Sequence, residues 1–239
     1  MHSPGSPYTL AEFRVLPSGT GLFPAPRPVC DAVGEAAAGS GEMMKTVLHV
    51  GCGPRDASPL HATFRQPGWR ELRLDIDPAV EPDIVSSMTD MAAVPPGSVD
   101  AIWSSHNIEH LEAHDVPKAL AEFRRVLKPA GFVLIATPDL QEVCRHVAEG
   151  RLEDSLYTVP AGPIAAIDIL YGWRRELAEG RTFMAHRTGF TRDTLKAKLK
   201  DAGFAPVAVQ ANQKALELTA IAFNGAPDET TLRAVLKTL

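Results

Sequence analysis

Three groups of residues in this sequence have the types and spacing to do chemistry. The first is Val47-Leu48-His49-Val50-Gly51-Cys52-Gly53-Pro54, a short apolar run that ends in a glycine turn. Small residues at such a turn let the chain reverse tightly and let a ligand reach the backbone. The second is Asp75, which follows Gly51 by the interval at which a next strand presents a carboxylate to a ribose diol. A carboxylate accepts both hydrogen bonds of that diol, which is why an acid is useful there. The third is His106-Asn107-Ile108-Glu109-His110, with His114 continuing the four-residue spacing. On a helix, this group would set two imidazoles on one face with Glu109 as base, the arrangement of a zinc hydrolase. It directly follows a predicted strand, however, where a loop is expected. His110 is therefore read as a loop anchor and His114 as a surface residue, and no metal is assigned.

Two phosphate-binding patterns fit the glycine turn badly. The dinucleotide fingerprint needs glycine or alanine where Asp56 stands, and that carboxylate would sit beside a pyrophosphate. The G-x-x-x-x-G-K-[ST] pattern of a P-loop is absent from the sequence. The expected ligand is a nucleoside without phosphates, with an NAD or nucleotide-sugar enzyme as the rival reading.

The elements that must position these residues alternate between strand and helix from Lys45 onward. Strands are predicted at Thr46–Val50, Glu71–Leu74, Asp83–Ser86, Val99–Ser104, Phe132–Ala136, Phe204–Gln210 and Leu216–Phe223. Helices are predicted from Ser58-Pro59 with Leu60 and Phe64 on one face, from Asp115, from the capping box Asp139-x-x-Glu142, around Ile164–Glu179, over Thr191–Ala202, and near Pro227. Lys128-Pro129-Ala130-Gly131 is expected to stop the second of these. The pattern predicts an open, doubly wound, mostly parallel α/β sheet, in which ligands bind outside the carboxyl ends of the strands. Residues 1–44, rich in proline and glycine, read as a loosely ordered arm, with one short helix near Val29–Ala38; residues 45–239 form the domain.

Composition is that of an ordinary globular chain: 239 residues, 45% hydrophobic, 22% charged, net charge −5. An acidic balance argues against non-specific binding to nucleic acid. Cys30, Cys52 and Cys144 are too scattered for a disulfide framework. Neither a membrane-spanning run nor a secretory leader is read, so a cytoplasmic location is expected.

Five segments in order resemble the class I S-adenosylmethionine-dependent methyltransferases, particularly the small type 11 methyltransferase-domain family. They are Val47–Pro54, Leu74–Pro78, Ser87–Met91, Ser98–Leu111 and Phe123–Asp139. The resemblance implies a Rossmann-like sheet of seven strands with the last strand antiparallel, and S-adenosyl-L-methionine as cofactor. It implies that Gly51, Cys52 and Gly53 cradle the methionine part and Asp75 holds the ribose, with Ile76 beside the adenine. Asp90 would bind the adenine amino group, Met91 would donate its backbone N–H, and Ser105 and His106 would line the reactive side. His49 and Arg55 stand where the family usually has an acid or asparagine and a third glycine. His49 is expected to hydrogen-bond the methionine end and Arg55 to meet its carboxylate; an altered turn, and a regulatory binder without turnover, is the alternative.

The implied activity is methyl transfer to a small molecule. Acceptor choice should then fall to the helical insert at about 150–190, with Tyr157, Tyr171, Trp173 and Phe183 beside Arg174, Arg175, Arg181 and Arg187. Aromatics beside arginines suit an anionic or ring-bearing molecule. His106, facing the sulfonium, and His186, if the insert folds over the cleft, are the two catalytic candidates.

Overall fold

The computed structural model describes residues 44–55, 60–159, 162–227 and 229. Its strands are β1 (Lys45–Val50), β2 (Trp69–Asp75), β3 (Ile84–Val85), β4 (Val99–Ser105), β5 (Leu127–Pro138), β6 (Ser155–Val159), β7 (Gly162–Ala165), β8 (Val207–Asn212) and β9 (Glu217–Phe223). Its α-helices are α1 (Val116–Val126), α2 (Leu140–Ala148), α3 (Ala166–Tyr171), α4 (Arg174–Ala178) and α5 (Arg192–Asp201). Seven strands make one sheet in the order β3-β2-β1-β4-β5-β9-β8. The pairs β3-β2, β2-β1, β1-β4 and β4-β5 are parallel, and β9 runs antiparallel to both β5 and β8. This is the doubly wound, seven-stranded, Rossmann-like sheet with one reversed strand.

The strands are apolar on both faces because both faces are covered. In β1, Leu48 and Val50 enter one core and Val47 the other; in β4, Ile102 divides in the same way from Ala101 and Trp103. The first core is closed by α1, whose Val116, Ala119, Leu120, Phe123 and Val126 recur at helical spacing and are buried. Leu195 and Leu199 of α5 join them. Burying one such side chain as large as Phe123 contributes about 1.5–3 kcal/mol. The second core holds Phe64, stacked on Phe132 with ring centroids 5.9 Å apart and edge-on to Trp69 at 5.0 Å. Among the described residues, no helix is long and apolar enough to cross a membrane.

Several elements depart from the sequence expectation. Ser58 and Pro59 lie outside the described residues; beyond them stands a 3-10 turn, Ala62–Arg65, capped by the side chain of His61. Leu60 and Phe64 do pack together on the second core. Helix α1 ends at Val126, just before Lys128 as expected, but Lys128-Pro129-Ala130-Gly131 already belongs to β5. The carbonyls at the helix end are met by the N–H groups of Gly97 and Ser98 and by the Asn224 amide, which donates to Arg124, Leu127 and Lys128. Asp139 caps α2 by accepting from the Gln141 N–H, while Glu142 pairs with Arg145 instead of closing the capping box.

The single helix expected around Ile164–Glu179 is a hairpin strand and two short helices. β7 pairs antiparallel with β6, and α3 ends at Gly172, where φ is +96° and a Cβ would lie 2.3 Å from the Met184 carbonyl. The polypeptide turns there because glycine alone tolerates that approach. The expected arm over residues 1–44 lies outside the described residues except for Met44, as does nearly all of the helix expected near Pro227.

Candidate functional site

The strand order reverses between β1 and β4, and the glycine turn emerges at the carboxyl end of β1 beside that crevice. Gly51 and Gly53 adopt φ of +65° and +55°, which suits glycine. The N–H groups of Gly51 and Cys52 both donate to Leu74 O, at 2.9 and 3.1 Å, and tie the turn to β2. Asp75, at the end of β2, accepts from Gly53 N–H at 2.8 Å on Oδ2 and from Asp77 N–H at 3.0 Å on Oδ1. Each oxygen keeps a further acceptor site, so the carboxylate is oriented by the turn and still able to bind a diol. Ile76 next to it is 60% exposed, an apolar side chain at the rim.

Asn107, after β4, lies directly across from this turn. A Cβ on Gly51 would come within 2.0 Å of its Nδ2, and that buried amide nitrogen makes no hydrogen bond. A fitted backbone cradle, an oriented carboxylate and an unpaired donor converge here. These residues suit the nucleoside and amino-acid parts of S-adenosylmethionine.

His49 lies beneath the turn, fully buried, with Nδ1 2.7 Å from Glu71 Oε1. Burial holds its imidazole below the ordinary histidine range, against the pull of Glu71. Arg73 is also buried; it pairs with Glu71 at 3.6 Å and donates to the Gly53 carbonyl. His49 Nε2 and Arg73 Nε make no hydrogen bond. This His49-Glu71-Arg73 group is a polar floor for the turn. Arg55 is exposed at the end of the turn. Burial pushes the Cys52 thiol up to about 11, whereas Cys144 is exposed. At pH 8, iodoacetamide is therefore expected to label Cys144 in the native protein and to spare Cys52. Peptide mapping by mass spectrometry reads this directly, and rapid labelling of Cys52 would show that the turn opens.

Of the two expected adenine contacts, the Met91 N–H already has a partner within the protein. Asp90 is exposed, with its backbone bridged to Ser87. The Met91 N–H does not face the cleft: it donates to Glu122 Oε2 at 2.7 Å, and the Met91 carbonyl accepts from Arg125. The Glu122–Arg125 pair on α1 has taken up that backbone.

Ser105 ends β4, and His106 follows with φ +47°, an unusual conformation for a residue with a side chain. Its half-exposed ring has Nε2 2.9 Å from Glu217 Oε2 and Nδ1 3.5 Å from Glu109 Oε1. Burial acts to lower its pKa, but hydrogen bonding and attraction from the two carboxylates raise it to about 10. Glu109 is 1% exposed and accepts from Thr137 Oγ1 at 3.0 Å. Desolvation opposes its ionisation, yet His106, His110 and His186 together hold its carboxyl below the usual range.

The stretch 106–110 is not an α-helix; Ile108–His110 forms one 3-10 turn. His110 anchors it as expected, with Nδ1 3.2 Å from Ala185 O and Nε2 3.1 Å from His106 O, and His114 is 75% exposed. The end of the insert docks here: Arg187 and Thr188 N–H groups donate to Glu109 O at 2.9 and 3.1 Å. His186 is brought against His110, ring centroids 4.9 Å apart, with Nδ1 2.7 Å from Ile169 O. Each of these four arginines of the insert has an acidic partner. Arg174 pairs with Asp168, Arg175 with Glu179, Arg181 with Glu176 and Glu179, and Arg187 with Glu112.

Glu217, Asn107, Glu71 and Arg73 were not singled out by sequence reasoning. For Arg73 a signal existed, a charged residue between Leu72 and Leu74 of an apolar strand. For Glu217 there was none, because 111 residues separate it from His106.

Fold and site together define a doubly wound α/β protein with a glycine turn and a carboxylate at its switch-point crevice. A family model described as a methyltransferase domain matches residues 25–209. The chain belongs to this methyltransferase family, and its fold is that of the class I S-adenosylmethionine-dependent enzymes. A comparison with curated protein sequences finds no match. Among solved structures, a SAM-dependent methyltransferase from Methanosarcina mazei is similar at 15% identity and TM-score 0.50, covering 79% of this chain and 95% of its own. The CurJ carbon methyltransferase is similar at 10% identity and TM-score 0.51, covering 78% and 50%. At such identities the likeness is one of fold.

Proposed function

We propose that this protein transfers a methyl group from S-adenosyl-L-methionine to a small-molecule acceptor. The observation that carries the reading is the Asp75 carboxylate, bound through Gly53 N–H to a positive-φ turn that faces an unpaired Asn107 amide. When bound, the cofactor supplies an activated methyl group on a sulfonium. Asp75 would hold the ribose, Ile76 would cover the adenine, and Gly51, Cys52 and Gly53 would present backbone to the methionine part. Asn107 Nδ2 would gain a partner that the protein itself does not offer. Ser105 and His106 would line the reactive side, where the ring of His106 stands between Glu109 and Glu217. With its arginines committed to ion pairs, the insert would select by shape and by Tyr157, Tyr171 and Trp173 rather than by net positive charge. A neutral, ring-bearing acceptor is thus favoured over an anionic one.

Calorimetric titration of the full chain with S-adenosylhomocysteine, with NADH in parallel, tests this. Binding of S-adenosylhomocysteine alone is expected, and at about 100 times its dissociation constant it should add roughly 2.7 kcal/mol to stability. Binding of NADH instead, or of neither, would overturn the cofactor assignment.

A further inference from the structure

We propose that Glu109, His110 and His186 form a binding site for a divalent first-row transition cation. One ligand atom from each lies within 4.8 Å of the other two. An ion held by imidazole nitrogen and carboxylate oxygen at about 2.1 Å draws such a trio together, and His110 reaches it by giving up one of its two carbonyl contacts.

The surroundings resemble a prepared coordination site. Thr137 Oγ1 donates to Glu109 Oε2 at 3.0 Å and fixes the carboxylate. The other oxygen, Oε1, is buried and accepts no hydrogen bond; the nearest cation, His106 Nδ1, is 3.5 Å away because Glu217 draws that ring outward. His186 Nδ1 stands 2.7 Å from Ile169 O, and since a carbonyl only accepts, Nδ1 carries the proton and Nε2 the lone pair. A backbone carbonyl that fixes the tautomer in this way is the usual support of a metal-bound histidine. His110 faces carbonyl oxygens on both ring nitrogens, and a neutral ring can donate to only one. The other nitrogen therefore has a lone pair without a proper partner. Beside Glu109 and His186 lies a cavity of about 10 Å³, lined also by Thr137, Thr188, Leu140 and Ile169, room for a single water-sized particle; His110 approaches the pair from outside it. A buried carboxylate is costly without close counter-charge, and an ion bound to it would stand nearer than the 3.5 Å of His106.

Two imidazoles with one carboxylate favour zinc, cobalt, nickel or iron over magnesium or calcium, which take oxygen sets. The ligand set differs from that of an H-x-x-E-H hydrolase. His106 is turned away toward Glu217, and the third ligand comes from the far end of the insert. The sequence expectation of no metal saw only the local stretch. With an ion bound, His186 is a ligand and not a base, and the ion clamps the insert to the loop after β4. None of this depends on the cofactor reading.

The test uses tag-free full chain stripped with chelator and titrated calorimetrically with zinc and with cobalt, with magnesium and calcium in parallel. One equivalent of zinc or cobalt is expected, with a rise in Tm and visible d–d absorption bands for the cobalt form. His186→Ala and Glu109→Gln should each weaken binding more than about 10-fold, judging by what even outer-shell changes cost a metal site. Circular dichroism of each variant in chelator shows whether it folds, and the wild-type titration decides the matter if one does not. Absence of zinc and cobalt binding by the wild type overturns the proposal, as does binding confined to magnesium or calcium. Undiminished affinity in both folded variants would place the ion elsewhere and overturn it equally.

Discussion

Gly51→Ala should lower affinity for S-adenosylhomocysteine at least 10-fold and reduce Tm by about 2–8 °C. Two effects combine. An alanine at φ +65° adopts the left-handed region at a cost of roughly 1–2 kcal/mol, and each kcal/mol moves Tm by about 2–4 °C in a chain of this size. The new methyl group would also stand 2.0 to 2.8 Å from three atoms of the Asn107 amide, which must leave its place across the turn. Gly97→Ala separates these effects. Gly97 has φ +62°, but nothing lies within 4 Å of its Cβ position. It should show the stability loss without the binding loss. If calorimetry gives Gly51→Ala the affinity of the wild type, the cradle is not where the ligand sits.

Asp75→Asn is the second large effect. Both carboxylate oxygens accept backbone N–H groups, from Gly53 and from Asp77. An amide keeps one acceptor and turns a donor toward the other N–H, so one of the two anchors is lost along with the negative charge. Hydrogen bonds to a charged group are worth about 1.5–3 kcal/mol, or roughly 10–150-fold in affinity. Calorimetry with S-adenosylhomocysteine is expected to show a loss in that range. A change of less than about 2-fold would mean that Asp75 serves the turn alone. The Tm of the variant distinguishes a loosened turn from a lost ligand contact.

What was legible in the sequence follows from what is local. The glycine turn, the carboxylate after the second strand and the apolar runs are each written in a few consecutive residues, and the seven-stranded sheet with its reversed last strand follows from them together with the family likeness. Met91 and the single helix at 164–179 show the limit. The Met91 N–H is occupied by a glutamate 31 residues further on, and Gly172 breaks the helix because of a carbonyl in another turn. Neither neighbour has any signature at the position it affects. The arginines of the insert looked like a binding patch because their types were visible, whereas their acidic partners became evident only in three dimensions. The His106–Glu217 pair is the extreme case, joined from the end of β4 to the start of β9 across the intervening β5.

β9 gives this arrangement an order in time. It is the last strand of the sheet in sequence, yet it lies between β5 and β8. During synthesis from the amino terminus, β1 through β5 leave the ribosome while one edge of β5 still lacks its partner. Its seven-residue pairing with β9 forms only when residues 217–223 emerge, and the same strand delivers Glu217 to His106. A nascent or truncated chain can therefore have the glycine turn and Asp75 in place while the opposite wall of the crevice is unfinished. The open edge of β5 is where a chaperone, or another unfinished copy, would meet it first.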